Sequence, residues 1–284
     1  MKEHAVTFGR NDDIVGVLTS PDAARKAPHV LILNAGFVHH VGPARLTVEV
    51  ARHLASAGFS TLRFDLSGIG DSAERIPRLD VIGCGIADVR DAMDHLCAVH
   101  GAREFVLFGL CSGARHAHHV AMADARVVAA ILLDGPAYAT KRYLAMRLRQ
   151  RFDHPLDLLA GMARRALRWM RATRPTTRIE PDDGETFFPA SPTREQMAKD
   201  LHMLAARNVA LLYINSGEWQ DYSYRGQLRE AFKEVPLGPL LTEHRIASAD
   251  HLYFTQPERT LLLDTVRSWL QERFEPTFDM TSMP

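Results

Sequence analysis

The sequence has few of the features that mark secreted, membrane-bound or nucleic-acid-binding proteins. It contains three cysteines in 284 residues, too few for the disulfide framework of a small secreted protein. No run approaches the roughly 18 apolar residues of a membrane-spanning helix, and no apolar signal segment follows the first residues. Lys and Arg together number 34, as do Asp and Glu, so no net charge indicates a nucleic acid or a membrane surface as partner. We therefore expect a cytoplasmic protein with reduced thiols that binds neither a nucleic acid nor a membrane.

The hydrophobic content is ample for a large core. Residues of this class make up 46% of the chain, which suits one large domain with an insertion. Short apolar runs alternate with helical patterns, which predicts a mostly parallel, doubly wound α/β sheet flanked by helices. The predicted strands are 4–9, 14–19, 29–34, 60–64, 105–108, 127–133, 209–215 and 243–247. The predicted helices include 44–57, 83–99, 224–234 and 257–273.

One stretch interrupts this alternation. Residues 137–206 contain no convincing strand, and helical patterns cover 142–152, 156–172 and 193–206. We interpret this stretch as a helical lid inserted into an α/β core formed by residues 1–136 and 207–273. Residues 274–284 are expected to form a frayed tail.

The stretch Phe105–Ala114 carries the most specific motif. Four apolar residues predict a buried strand, a helical pattern follows, and Gly109 and Gly113 bracket Cys111. This is the Gly-x-nucleophile-x-Gly pattern of a nucleophile elbow, a sharp strand-to-helix turn that holds its central residue in a strained backbone. If Ser112 were central, non-glycine residues would stand at both glycine positions, so the register favours Cys111. The alternative is a small buried core cysteine.

A cysteine nucleophile needs a base and an orienting acid, and in this type of turn they follow in the order nucleophile, acid, histidine. His251 lies between the last predicted strand and the last helix, where that histidine is expected. For the acid we favour Asp221, in the loop after strand 209–215. Glu218 in the same loop and Asp134, at the end of the preceding strand, remain alternatives.

The oxyanion of an acyl-transfer reaction also needs N–H donors. We expect one from Ser112, directly after the nucleophile, and one from Phe37, in the loop after strand 29–34. His116, His118 and His119 lack the spacing and the acidic partner of a zinc motif. The predicted chemistry needs neither a metal nor a cofactor.

The predicted lid is basic. Between positions 138 and 178 there are eleven Lys or Arg residues and two acidic residues. Such a run is often a solvated face, but it also suits an anionic partner such as a CoA phosphate or an acidic acyl carrier protein. Apolar residues between the charges would suit an acyl chain or packing onto the core.

These motifs together resemble the α/β-hydrolase superfamily over residues 12–273. Within it, the chain is most similar to the exosortase-system-associated hydrolases and their serine-aminopeptidase-like relatives. The shared segments are Asn34-Ala-Gly36, Val38-His39, Val41-Gly42-Pro43, residues 64–72, Gly109-Leu-Cys-Ser-Gly113, Tyr222-Ser-Tyr224, Gln227 and Ala249-Asp-His251 with Phe254. Cys111 stands where most of the superfamily has serine, which argues against routine esterase or peptidase activity.

The sequence accordingly predicts an acyl-processing enzyme with a thioester intermediate on Cys111. A thioester reacts well with thiols and amines as well as with water. The expected activities are thioesterase or esterase, with an acyltransferase or cyclase acting on CoA or carrier-bound acyl groups as the near variant. A non-catalytic binding descendant of the fold is the other interpretation. The acyl group and the oligomeric state are left open.

Overall fold

The fold is described from a computed structural model that covers residues 1–23, 27–153 and 188–274. Eight strands are formed because short apolar runs, bounded by Gly, Pro and Asp turns, favour buried β structure. Their bounds are β1 Lys2–Phe8, β2 Ile14–Ser20, β3 His29–Ile32, β4 Thr61–Phe64, β5 Phe105–Leu110, β6 Val127–Leu133, β7 Ala210–Ser216 and β8 Leu241–Ile246.

The strands form one sheet in the order β1-β2-β4-β3-β5-β6-β7-β8. β1 and β2 make an antiparallel hairpin, and β2 also pairs antiparallel with β4. The remaining pairs are parallel. The carboxyl ends of β3 and β5 to β8 therefore lie along one edge of the sheet, where the loops that carry the candidate site residues meet.

The described part of the chain contains seven α-helices. They are α1 Leu46–Ser56, α2 Val81–His100, α3 Ser112–Ala123, α4 Lys141–Asp153, α5 Arg194–Ala206, α6 Gln227–Ala231 and α7 Gln256–Phe274. The sequence sets their limits. Asp80 caps α2 by accepting a hydrogen bond from the Gly83 N–H at 2.7 Å, and Gly101 ends it with φ of 65°.

The core has two parts, one on each face of the sheet. All six residues of β5 are buried, and successive residues point to opposite faces. Phe105 and Leu107 pack on one face with apolar residues of α2 and α3. Val106 and Phe108 pack on the other face with residues of α1 and α7. Burial on both faces explains why the central strands are continuous apolar runs.

The predicted fold class is confirmed, and the element bounds differ from the predictions mostly by one to three residues. The helix predicted at 224–234 is shorter, at Gln227–Ala231. Two of the three predicted lid helices are present, as α4 and α5. The third, at 156–172, lies outside the described residues, so the lid and its boundaries stay a prediction. The last helix reaches residue 274, and the rest of the predicted tail is not described.

None of the helices in the described ranges is long and apolar enough to cross a membrane.

Candidate active site

Cys111 occupies the corner between β5 and α3. Its backbone has φ of 57° and ψ of −112°, a conformation that a residue with a side chain rarely adopts. Two features hold it there: the Cys111 N–H donates to the Leu133 carbonyl at 2.9 Å, and α3 begins at the next residue. The side chain is half-buried at the carboxyl edge of the sheet. The corner is therefore the predicted elbow, with Cys111 rather than Ser112 at its centre.

The two glycines are required by close backbone contacts. A Cβ atom at Gly109 would lie 2.2 Å from the Gly113 carbonyl carbon. A Cβ atom at Gly113 would lie 2.5 Å from the Asn34 carbonyl oxygen. Neither distance is tolerated between non-bonded atoms, so the helix start could not pack this closely against β3 and β5 with any larger residue.

His251 lies opposite the elbow and is oriented by Asp134. The His251 Nδ1 and the Asp134 Oδ2 are 2.7 Å apart. The Asp134 side chain is fully buried, whereas that of His251 is 30% exposed. The His251 ring also interacts with the Cys111 thiol, since each group shifts the pKa of the other. The structure thus brings a thiol, an imidazole and a carboxylate together as a candidate catalytic triad.

The structure brings Asp134, and not the preferred Asp221, to the His251 ring. Asp221 is exposed, and its carbonyl accepts a hydrogen bond from Gln227 at 2.7 Å. It lies five residues past the end of β7, where the chain has already turned toward α6. The Glu218 carboxylate accepts a hydrogen bond from the backbone N–H of His251 at 3.2 Å and does not bond the ring. Of the three candidate acids, Asp134 is the one bonded to the His251 ring.

Two residues that sequence reasoning missed complete this arrangement. Ser216, at the end of β7, donates to Asp134 from both its N–H and its hydroxyl, each at 2.7 Å. Trp219 stacks on the His251 ring with centroids 5.3 Å apart and an interplanar angle of 12°. The Trp219 indole is itself fixed by a 3.1 Å bond to the Gly135 carbonyl. These contacts immobilise both the carboxylate and the imidazole.

The pKa values of the pair move in opposite directions. The hydrogen bond from His251 is the main cause that lowers the pKa of Cys111, and nearby positive charge and the Ser112 N–H act in the same sense against burial. The hydrogen bond to Asp134, followed by that to Cys111, raises the pKa of His251 to about 10. Both shifts favour a thiolate beside an imidazolium, and the thiolate is the nucleophilic form of cysteine.

The loop after β3 lies against the elbow. The Gly36 N–H donates to the Ser112 Oγ at 2.6 Å, across 76 residues of sequence. Asn34 braces the same loop, because its Nδ2 donates to the Val38 carbonyl at 2.9 Å and its Oδ1 accepts from the Leu66 N–H. The Ser112 N–H is one of the causes that lower the pKa of the Cys111 thiol. The two oxyanion donors, Ser112 and Phe37, stay a prediction.

Four potential metal ligands cluster beside this loop. One atom each from His39, His40, Asp65 and Asp71 lies within 4.8 Å of the others. Asp65 is fully buried and accepts from the His40 N–H at 2.6 Å and pairs with the His40 Nδ1 at 2.7 Å. His39 pairs with Asp71 at 3.0 Å. The polar atoms already bond to one another, so we assign the cluster to bracing the loop rather than to holding a metal.

The other sequence signals lie away from the elbow. On α3, His118 is buried and pairs with Asp200 of α5 at 2.7 Å, which joins the elbow helix to the lid helix predicted at 193–206. Six of the eleven basic residues between positions 138 and 178 lie outside the described ranges. Of those described, Arg142 packs over the Tyr224 ring at 4.3 Å.

The sheet order, the elbow and the late histidine define an α/β hydrolase. The sequence profile described as serine aminopeptidase, S33, matches residues 25–213, which is more than half of the chain. The protein therefore belongs to this family of α/β hydrolases, and the expected superfamily is confirmed. No curated protein sequence matches the chain.

Solved structures share the fold over almost the whole chain. An esterase domain from Rhodothermus marinus superposes with a TM-score of 0.58 at 17% identity, covering 96% of this chain and 99% of its own. Proline iminopeptidase from Mycobacterium smegmatis gives a TM-score of 0.58 at 15% identity, covering 95% and 98%. An α/β serine hydrolase without a lid from Xanthomonas campestris gives 0.53 at 15% identity, covering 97% of each chain. At these identities the likeness establishes the fold alone.

Proposed function

We propose that this protein is an acyl-processing hydrolase that cleaves ester or thioester bonds through a Cys111-His251-Asp134 triad. The observation that carries the proposal is the His251–Asp134 hydrogen bond beside Cys111, which stands at the strained elbow. The family is hydrolytic, and the related structures include esterases and a peptidase, which supports bond cleavage at an acyl carbonyl.

In the first half-reaction, the Cys111 thiolate attacks the acyl carbonyl carbon and a C–S bond forms. The carbonyl electrons move to oxygen, and the Ser112 and Phe37 N–H groups donate hydrogen bonds to this oxyanion at the positive end of α3. When the intermediate collapses, the bond to the leaving group breaks. The leaving alkoxide or thiolate takes the proton held by His251. The product is a thioester of Cys111.

In the second half-reaction, His251 removes a proton from water as the water oxygen attacks the thioester. Collapse releases the carboxylic acid and restores the thiolate and imidazolium. Asp134 holds the imidazole in the tautomer and orientation that both steps need, and it stabilises the imidazolium.

Transfer to an alcohol, amine or thiol in place of water is the second candidate. The sulfur of Cys111 favours it, because a thioester intermediate reacts readily with amines and thiols, whereas a serine would give an oxyester. Such an enzyme would take acyl groups from CoA or from a carrier protein. The products formed with an added amine or alcohol are compared with those formed in water alone. An acylated amine or alcohol indicates transfer, and the free acid alone indicates hydrolysis.

The test compares wild type, Cys111→Ala and Cys97→Ala on acyl thioesters and p-nitrophenyl esters. We expect at least a thousandfold loss of kcat/KM in Cys111→Ala, because the nucleophile is removed. Cys97→Ala is the matched control, since Cys97 lies on α2 and bonds Arg126. Full activity of Cys111→Ala would overturn the proposal. Absence of turnover by wild type across these substrates would instead favour a binding descendant of the fold.

A further inference from the structure

A cavity of about 470 Å³ opens beside the oxyanion loop. Its volume falls in the range of small-molecule sites, which run from about 300 to 1,000 Å³. The walls come from the turn after β4, the first turn of α2, residue 116 of α3 and residues 188–190. The apolar lining side chains are those of Phe37, Leu66, Ile69, Leu79, Val81, Ile82 and Phe188.

Two residues relate the cavity wall to the elbow. Phe37 belongs both to the cavity wall and to the candidate oxyanion loop. His116 lies four residues after Ser112, where α3 begins, which is about 6 Å along the helix axis. A substrate whose carbonyl carbon is at the Cys111 sulfur therefore has its next few atoms within reach of this cavity.

Exposed aromatic and aliphatic surface marks the opening. Phe37 is 59% exposed, Leu79 46% and Phe188 37%. The Phe37 and Phe188 rings contact each other with centroids 4.9 Å apart. Large apolar side chains are seldom left this exposed around a cavity unless a ligand covers them.

Three charged side chains of the cavity lining already form hydrogen bonds or ion pairs within the protein. Arg75 pairs with Asp88 at 2.8 Å and also with Asp91. Asp88 is fully buried and accepts from both the N–H and the hydroxyl of Ser67. Asp80 is the cap of α2. These three groups have no need of a charged ligand. The rest of the lining is mostly apolar, with Glu74, Arg78 and His116 as its other acidic or basic residues.

We infer that this cavity binds the apolar tail of the acyl group, and that the enzyme prefers medium-length aliphatic or aryl acyl substrates to acetyl or charged ones. The inference rests on the proposed function for its connection to Cys111. Each methylene that such a tail buries removes apolar surface from water, so a chain several carbons longer binds more tightly.

The first test measures kcat/KM for acetyl, butanoyl, octanoyl and dodecanoyl thioesters with wild type, Ile82→Trp and Val99→Trp. Both positions lie on α2, but Val99 is 61% exposed and does not line the cavity. We expect wild type to prefer octanoyl over acetyl by at least tenfold, and Ile82→Trp to lose that ratio because the indole fills the cavity. Val99→Trp keeps the ratio. An unchanged ratio in Ile82→Trp, or an equal change in both variants, overturns the inference.

The second test needs no catalysis. Decanoate binding to Cys111→Ala is measured by calorimetry, alone and combined with Ile82→Trp or with Leu79→Trp. The Leu79 variant provides a second blocking position on an exposed wall if Ile82→Trp does not fold. If either substitution weakens decanoate binding at least tenfold, the cavity assignment is supported. If wild type then shows no turnover, only the proposed function fails. If decanoate does not bind and kcat/KM of wild type does not change with acyl chain length, only the cavity assignment is overturned.

Discussion

The Asp134 carboxylate and the His251 imidazole are joined at 2.7 Å across 117 residues of sequence. Asp134 has φ of 47° at the end of β6, and its N–H donates to the Ile214 carbonyl of β7. The turn therefore aims the carboxylate past the end of β7, toward the loop after β8. There the His251 ring meets Cys111. We draw the following predictions from this relationship and from the elbow.

Asp134→Asn should lower kcat/KM by about 10³- to 10⁴-fold, because the amide no longer stabilises the imidazolium or fixes its tautomer. Asp221→Asn is the matched control, since Asp221 is exposed and has no bond to the ring, and it should change kcat/KM by less than about twofold. Steady-state kinetics on one thioester measures both. A large loss in Asp221→Asn with normal activity in Asp134→Asn would reverse the assignment of the acid.

The pH dependence of kcat/KM should be a bell with a wide plateau. The acid limb reflects protonation of Cys111, and the hydrogen bond from His251 lowers the Cys111 pKa, so this limb lies at lower pH than for an ordinary thiol. The alkaline limb reflects loss of the His251 proton near a pKa of about 10. Asp134 is the main cause that raises this pKa, so Asp134→Asn should move the alkaline limb to lower pH. An alkaline limb that stays in place would show that Asp134 does not act on His251.

Ser112→Ala should lower kcat at least tenfold, because the Gly36 N–H loses its 2.6 Å acceptor and the oxyanion loop is no longer held against the elbow. Ser112→Thr keeps a hydroxyl and should restore much of the rate. Iodoacetamide alkylation of Cys111 does not need the oxyanion donors, so its rate should stay close to wild type in both variants. If alkylation falls in parallel with kcat, Ser112 acts on the thiol and not on the loop.

Gly109→Ala should destabilise the fold by about 3 kcal/mol or more, because its Cβ would meet backbone atoms of Gly113 at 2.2 Å. Gly101→Ala is an informative comparison. It has φ of 65° but no atom within 4 Å of its Cβ, so we expect only the cost of left-handed backbone, about 1 kcal/mol. Urea denaturation gives both free energies of unfolding, and equal values would argue against close packing at the elbow.

The elbow could be predicted from the sequence because the residues that specify it are close together in the chain. Two glycines at fixed spacing, an apolar strand and a helical pattern specify the turn without reference to the rest of the chain. His251 was also identifiable, since it lies in a short loop between two recognisable elements. The catalytic roles of both remain predictions.

The acid was not identifiable in the same way, because two adjacent parallel strands each end in a loop with carboxylates. The choice between Asp134 and Asp221 depends on the turn after β6 and on the two hydrogen bonds from Ser216. Trp219 and the cavity beside Phe37 depend on contacts between distant segments, which no local pattern reports.

The most direct test of the central claim is to find the residue that carries the acyl group. Wild type is mixed with octanoyl thioester, quenched in acid within the first turnover and digested, and the peptide with Cys111 and Ser112 is analysed by mass spectrometry before and after neutral hydroxylamine. We predict one octanoyl group on this peptide that neutral hydroxylamine removes, as expected for a thioester of Cys111, and none in Cys111→Ala. A hydroxylamine-resistant adduct on Ser112, or undiminished acylation of Cys111→Ala, would contradict the account.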